Sequence, residues 1–244
     1  MQKWYLVQDG EGRYSSERSQ AKLDVVEELE LFIHSSPDII LFMNNRLFIY
    51  FDVGSVLVDW SNAFETSASR FNLTVDDIFK VFNENDEQIT KGFITPQQLW
   101  EKCIKKYNIP DARNYDFLES WVSDYKPIQE MHNLVHKIKS NYRIGLLSNI
   151  YKGMLPLLLK KRVVPAIHYQ EIVFSCDVSM RKPEADIYNL AQKKAKIEPD
   201  NILLVDDRED YLEGAKKASW YTFLFDNKKR VQSTKELEKY LQNF

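Results

Sequence analysis

Asp52, Ser148, Lys182 and the pair Asp206-Asp207 are the residues of this 244-residue chain best suited to do chemistry together. Asp52 ends the apolar run Leu47-Phe48-Ile49-Tyr50-Phe51 and leads into Val53-Gly54-Ser55-Val56-Leu57. Ser148-Asn149 closes Ile144-Gly145-Leu146-Leu147, and Asp206-Asp207 closes Ile202-Leu203-Leu204-Val205. Lys182-Pro183 stands just ahead of a helical pattern. A carboxylate, a hydroxyl, an ammonium and a second acid pair gathered in one crevice suit phosphate chemistry. The lysine and the hydroxyl would hold a phosphoryl oxygen. The carboxylates would hold a hard cation such as Mg²⁺, whose ligands are oxygens, and the cation offsets repulsion between an anionic nucleophile and an anionic ester.

Taken singly, each cluster has a plainer reading. Asp52 could cap a helix or open a turn, Asp-Asp after a strand can be a helix N-cap, Ser-Asn is turn chemistry, and Lys-Pro is ordinary loop. What sets them apart is their order, each at the end of a strand or the start of a helix in one series.

The elements that must position them follow from periodicity. An apolar run rich in β-formers that ends at an acid and a glycine-containing turn reads as a buried strand, its carboxylate at the end where open α/β sheets bind ligands. From Pro127 onward the pattern alternates: helix 128–139, strand 143–148, helix 152–161, strand 172–175, helix 185–196, strand 202–205, helix 211–218, strand 221–225. That alternation predicts right-handed crossovers and a doubly wound, mostly parallel α/β sheet. Residues 59–126 read mostly helical, with segments at 60–71, 75–82 and 117–125. Thr74-Val75-Asp76-Asp77 is a helix start, and Thr95-Pro96-Gln97-Gln98 has the N-cap, first-turn proline and capping-box glutamine of another. Residues 1–46 form an appendage of unassigned role. In it a strand at 3–7, a polar loop at 10–19, a helix over 21–34 and a hairpin about Asn44-Asn45-Arg46 are expected.

Bulk composition excludes several classes. Lys plus Arg number 33 against 36 Asp plus Glu, a formal charge of −3, so net charge offers no support for a nucleic-acid partner. No stretch approaches the roughly 20 apolar residues of a membrane span. The N-terminal residues lack the apolar core of a signal peptide. Two cysteines, Cys103 and Cys176, lie far apart without metal-ligand spacing, which favours a reducing compartment. A cytoplasmic location is the expectation.

With these residues in view, the chain resembles the haloacid dehalogenase superfamily of Mg²⁺-dependent phosphohydrolases. Four motifs match in order over residues 47–226: Phe51-Asp52-Val53-Gly54-Ser55-Val56-Leu57, Leu147-Ser148-Asn149, Arg181-Lys182-Pro183-Glu184 and Leu204-Val205-Asp206-Asp207. It looks most like the subgroup of α-D-glucose-1-phosphate phosphatases and the N-terminal phosphatase domain of soluble epoxide hydrolases. The stretches Lys91-Gly92-Phe93-Ile94-Thr95 and Met180 to Tyr188 carry that likeness. The resemblance implies a core of residues 47–59 and 127–244 and a helical cap of residues 60–126 inserted after the first core strand. It implies Asp52 as nucleophile, forming an aspartyl-phosphate that water hydrolyses. A Mg²⁺ site would be made by Asp52, the carbonyl of Gly54, Asp206 and Asp207. Ser148 and Lys182 would bind the phosphoryl group with Asn149 close by, and Trp60 in the cap would face the substrate. The expected substrate is a small phosphorylated metabolite, a sugar phosphate first.

Two departures from the family pattern stand out. Gly54 occupies the place of a second acid that protonates the leaving group, a function worth about 10²–10⁴-fold in rate, although the glucose-1-phosphatase-like subgroup also carries Gly there. Tyr211 stands where relatives usually have Asn, with Asp210 beside it as either an outer ligand or a solvated acid. Two rivals follow: a 2-haloacid dehalogenase, against which the acid pair Asp206-Asp207 argues, and a binding or regulatory module with weak catalysis. His132 and His136 have metal-pair spacing but fall outside the stripe Ile128, Met131, Val135, Ile138, so a solvated face is expected. Trp60, Phe64, Phe71, Phe82, Phe93, Trp100 and Trp121 are expected in the cap core, with Trp60, soon after the nucleophile loop, the one best placed to face substrate.

Overall fold

A computed structural model describes residues 47–244. The expectations for residues 1–46 lie outside the described residues. Strand β1 (Phe48–Phe51) leads through a turn into the two-residue β2 (Val58–Asp59). Helices α1 (Glu65–Arg70), α2 (Val75–Glu84), α3 (Asp86–Thr90), α4 (Pro96–Tyr107) and α5 (Phe117–Ser123) make the cap, and β3 (Lys126–Pro127) leaves it, paired antiparallel with β2. After α6 (Gln129–Ile138) come β4 (Arg143–Ser148), α7 (Met154–Lys160), β5 (Glu171–Phe174), α8 (Ser175–Val178) and α9 (Ala185–Ala195). The chain ends with β6 (Ile202–Asp206), α10 (Glu209–Lys217), β7 (Tyr221–Leu224) and α11 (Arg230–Leu241).

The main sheet runs in the order β5-β4-β1-β6-β7, every pairing parallel. A parallel sheet needs both faces covered, and its strands therefore read as continuous apolar runs. Alternate residues of β1 serve different cores. Ile49 and Phe51 join Leu146, Leu203 and Val205 on one face, while Phe48 and Tyr50 join Leu147, Leu204, Tyr188 and Trp220 on the other. Tyr50 satisfies its buried hydroxyl by donating to the Ala191 carbonyl at 2.9 Å. The α/β fold with a parallel sheet flanked by helices is thus the one the alternation predicts, and helices α1–α5 follow the first strand, where the sequence reads mostly helical.

Both expected helix starts are capped as read. Thr74 exchanges hydrogen bonds with Asp77, and Thr95 with Gln98, each pair a capping box. The helix expected over 60–71 is shorter, because Phe64 takes φ 73, outside the right-handed helical region, and helix α1 starts only after it. The ladder β2–β3 and helix α11 are additions to the expected elements. His132 is a correction. His136 is exposed, but His132 is buried, four residues after Ile128 and three before Val135, at the edge of the apolar stripe. Its Nε2 lies 3.1 Å from the Leu57 carbonyl and 3.2 Å from that of Val163. Phe93 and Trp60 are also corrected: they are 64 % and 41 % exposed and not in the cap core.

Candidate active site

Register brings the acids together. Phe51 of β1 faces Val205 of β6, so the next residues, Asp52 and Asp206, leave adjacent strands at the same end. The Asp52 N–H donates to the Val205 carbonyl at 2.9 Å, which keeps the carboxylate at that edge. Ser148 ends β4 on the other side of β1. Lys182 arrives from the loop between α8 and α9, and its Nζ is fully buried. It donates to Asp52 Oδ1 at 2.9 Å, to Asp206 Oδ2 at 2.5 Å and to the Leu147 carbonyl at 3.0 Å, so all three of its protons have acceptors. The two ion pairs form in a site from which water is largely excluded.

Three carboxylates, those of Asp52, Asp206 and Asp207, offer oxygens within 4.8 Å of one another. One ammonium cannot balance them. Burial pushes the Asp206 carboxyl up to about 7 against the pull of Lys182, and burial with the Asp52 charge pushes Asp207 up to about 6. Burial alone would lower the Lys182 ammonium, but Asp206 and Asp52 outweigh it and hold that group above its ordinary range. An all-oxygen cluster with excess negative charge fits a hard divalent cation. Asp210 is no part of it: that acid is half exposed and paired with Arg208 at 2.7 Å.

The family model described as haloacid dehalogenase-like hydrolase matches residues 49–224. The chain belongs to that family. Among solved structures, this haloacid dehalogenase-like hydrolase is similar to a family enzyme of Bacteroides thetaiotaomicron in complex with magnesium and inorganic phosphate. The identity is 21 %, the TM-score 0.61, and the match covers 75 % of this chain and 95 % of the other. It is also similar to a family hydrolase of Porphyromonas gingivalis, at 16 % identity and TM-score 0.61 over 80 % of this chain and 98 % of that one. A defluorinating L-2-haloacid dehalogenase matches at 21 % identity and TM-score 0.60, over 76 % and 83 %. These likenesses establish the fold. A curated relative, the drimenol cyclase of Aspergillus calidoustus, is 25 % identical over 186 residues, 74 % of this chain. The chain spans 34 % of that relative's length.

In this haloacid dehalogenase-like hydrolase the residues anticipated from sequence fall into two groups. Asp52, Gly54, Ser148, Asn149, Asp207 and Trp60 line one cavity, while Lys182 and Asp206 lie buried behind it. Asn149 has its amide committed: Oδ1 accepts from the Lys182 N–H at 2.9 Å, and Nδ2 donates to the Lys182 carbonyl and to the Tyr211 hydroxyl, each at 3.0 Å. That clamp holds the lysine loop against the sheet. Tyr211 is buried, with the Lys182 ammonium 4.9 Å and the Arg208 guanidinium 4.2 Å from its ring centre. Over Gly54, a β-carbon would stand 3.6 Å from Trp60 Nε1, so an indole occupies the neighbourhood where a second acid would project. The indole donates to Ser55 Oγ at 2.8 Å.

Sequence reasoning missed the contacts that seat the cap. Arg181 donates to Asp86 Oδ2 at 2.8 Å and to Thr90 Oγ1 at 3.0 Å, joining the lysine loop to α3. Lys91 pairs with Glu184 at 2.7 Å beside it. Arg181 and Glu184 were visible as neighbours of Lys182, but nothing in the sequence names their partners.

Proposed function

We propose that the chain is a Mg²⁺-dependent phosphomonoesterase that acts on a small phosphorylated metabolite through an aspartyl-phosphate on Asp52. The observation that carries this reading is the convergence of three carboxylates at the strand ends, two of them bonded to a buried lysine. Asp52, the Gly54 carbonyl, Asp206 and Asp207 would hold Mg²⁺, which when bound offsets the charge of the phosphoryl oxygens. Ser148 Oγ, at the end of β4 and in the same cavity, would donate to a phosphoryl oxygen. Lys182 fixes the Asp52 carboxylate so that one oxygen can attack phosphorus. The P–O bond to the alcohol then breaks, the alkoxide takes a proton, and water cleaves the acyl-phosphate to inorganic phosphate and free Asp52. With glycine at position 54, that proton comes from solvent or from another group of the cavity.

The subgroup likeness to glucose-1-phosphate and epoxide-hydrolase-type phosphatases rests on motif sequence. The cytoplasmic expectation is supported by two buried, unpaired cysteines; among the described residues no helix is long and apolar enough to cross a membrane. The reading is tested by Asp52→Asn. Phosphate release from a panel of esters with Mg²⁺ should drop by roughly 10⁴-fold or more while the melting curve stays cooperative. Full turnover by the variant would end the proposal. Halide release without metal would favour a dehalogenase.

A further inference from the structure

We infer that the alcohol carried by the substrate is apolar, so that this site hydrolyses the phosphomonoester of a hydrophobic alcohol in preference to that of a sugar. The inference rests on the phosphatase reading above and comes from the far wall of the cavity. The cavity holds about 370 Å³, at the small end of ligand pockets. Away from the acids it is walled by Phe79 and Phe82 of α2, Tyr125, Tyr151, and Met154 and Leu158 of α7. Met154, Leu158 and Phe82 are buried. Apolar surface starts next to the nucleophile, since Trp60 covers Gly54 and tilts against Phe79 with ring centres 6.3 Å apart.

A sugar brings a hydroxyl on nearly every carbon, and each one must exchange water for a protein partner or lose free energy on entry. Four of the polar side chains that line it, Asp86, Thr90, Asn149 and Arg208, are already engaged, Arg208 with Asp210. Asp86 and Thr90 are held by Arg181, and Thr90 Oγ1 also donates to the Asp86 carbonyl at 2.6 Å. Asn149 is spent on the lysine loop and Tyr211. Tyr125 and Tyr151 are half-buried, and burial holds their phenols well above the ordinary tyrosine range, so both stay neutral. Asn83 is at the exposed rim. An alkyl or aryl group meets carbon on this wall and gains about 25 cal/mol for each Å² it removes from water.

Hexyl phosphate and glucose 6-phosphate are the decisive pair, because both are esters of six-carbon primary alcohols and differ in hydroxyls and ring closure. With Mg²⁺ and the full chain, kcat/KM should favour hexyl phosphate by about 100-fold. It should rise about threefold per methylene from ethyl to hexyl phosphate. Phe79→Ser should shrink the hexyl-to-glucose ratio. Equal or better turnover of glucose 6-phosphate, or a flat alkyl series, overturns the inference whether or not the Phe79 variant folds. If no ester releases phosphate, the phosphatase reading fails by itself. Calorimetric titration of the wild-type protein with the same two esters then decides the chamber, tighter binding of hexyl phosphate supporting it and equal or weaker binding refuting it.

Discussion

At the carboxyl end of the sheet, Asp52, Ser148 and Asp206 are each placed by a strand whose neighbours hold its register; in the cap, Phe79, Phe82 and Trp121 are placed by rings packed on rings. Phe64 alone meets Phe79, Phe82, Phe117 and Trp121. A strand end is a fixed address, and a residue there keeps its position as long as the ladder holds. A ring cluster is a negotiated surface, and its shape depends on every member. On the proposed reading, the difference assigns the roles: reaction geometry belongs to the sheet, and the shape of the leaving-group chamber belongs to the cap together with the α7 face that meets it. It also separates what substitutions should do.

The strongest contrast is expected at Lys182. Lys182→Met fills a similar volume but removes three hydrogen bonds and leaves Asp206, fully buried, beside Asp52 without a counter-charge. Stripping one partner from a buried ion pair costs about 3–5 kcal/mol, so chemical denaturation should show a loss of that order, together with no detectable turnover. Wild-type stability in this variant would mean that the sheet end does not depend on its lysine.

The seam between the regions should come next. Gly92 has φ 72, and a β-carbon there would lie 2.2 Å from the Cys176 carbonyl oxygen. Only glycine allows both the left-handed backbone and that approach. Gly92→Ala should lower stability by about 2 kcal/mol and raise KM by unseating the cap, with kcat less affected. A variant whose KM is unchanged would show that the chamber does not need this contact.

Arg181→Met tests the same seam more gently. The Arg181–Asp86 pair is part exposed, 20 % and 40 % for the two side chains, so solvent screening limits its worth to about 1 kcal/mol or less. Bulky esters should lose up to about fivefold in kcat/KM, and acetyl phosphate, which does not reach the cap, should lose less. Equal losses for both would place Arg181 with the sheet-end machinery, through its neighbour Lys182.

The same contrast explains what the sequence disclosed. Apolar runs ending in Asp52, Ser148 and Asp206 reveal both their strands and their common edge, because a parallel sheet leaves few other ways to stack them. The capped starts at Thr74 and Thr95 are equally local, written within four residues. Contacts across the fold leave no such mark. Asn149 reads as a substrate group until its amide is seen on Lys182, and Phe82 reads as cap core until it is seen to wall the cavity as well. His132 was hidden for a different reason, lying at the margin of a helical stripe where one turn of packing decides between water and core.

His132 also marks the joint between the two regions, and its effect should be the smallest. The Leu57 carbonyl within reach of its Nε2 accepts in addition the Ile128 N–H at 2.9 Å; Leu57 precedes β2, where the chain enters the cap, and Ile128 follows β3, where it leaves. Facing carbonyls, Nε2 must carry the hydrogen of a neutral ring. Burial pushes the imidazole below its ordinary 6.5, partly resisted by the Leu57 and Val163 carbonyls and aided by His136 one turn on. The unfolded chain therefore takes up a proton near pH 6.5 that the folded chain refuses until lower pH. Stability contributed by the neutral ring is complete above that value and is lost as pH falls toward the folded pKa. His132→Gln retains an amide donor for the carbonyls and does not titrate. Its unfolding free energy should lie within about 1 kcal/mol of wild type at pH 7.5 and should decline less steeply between pH 6.5 and 5. Parallel decline of the two proteins would mean that the imidazole is protonated in place, and that the joint is held by the β2–β3 ladder without it.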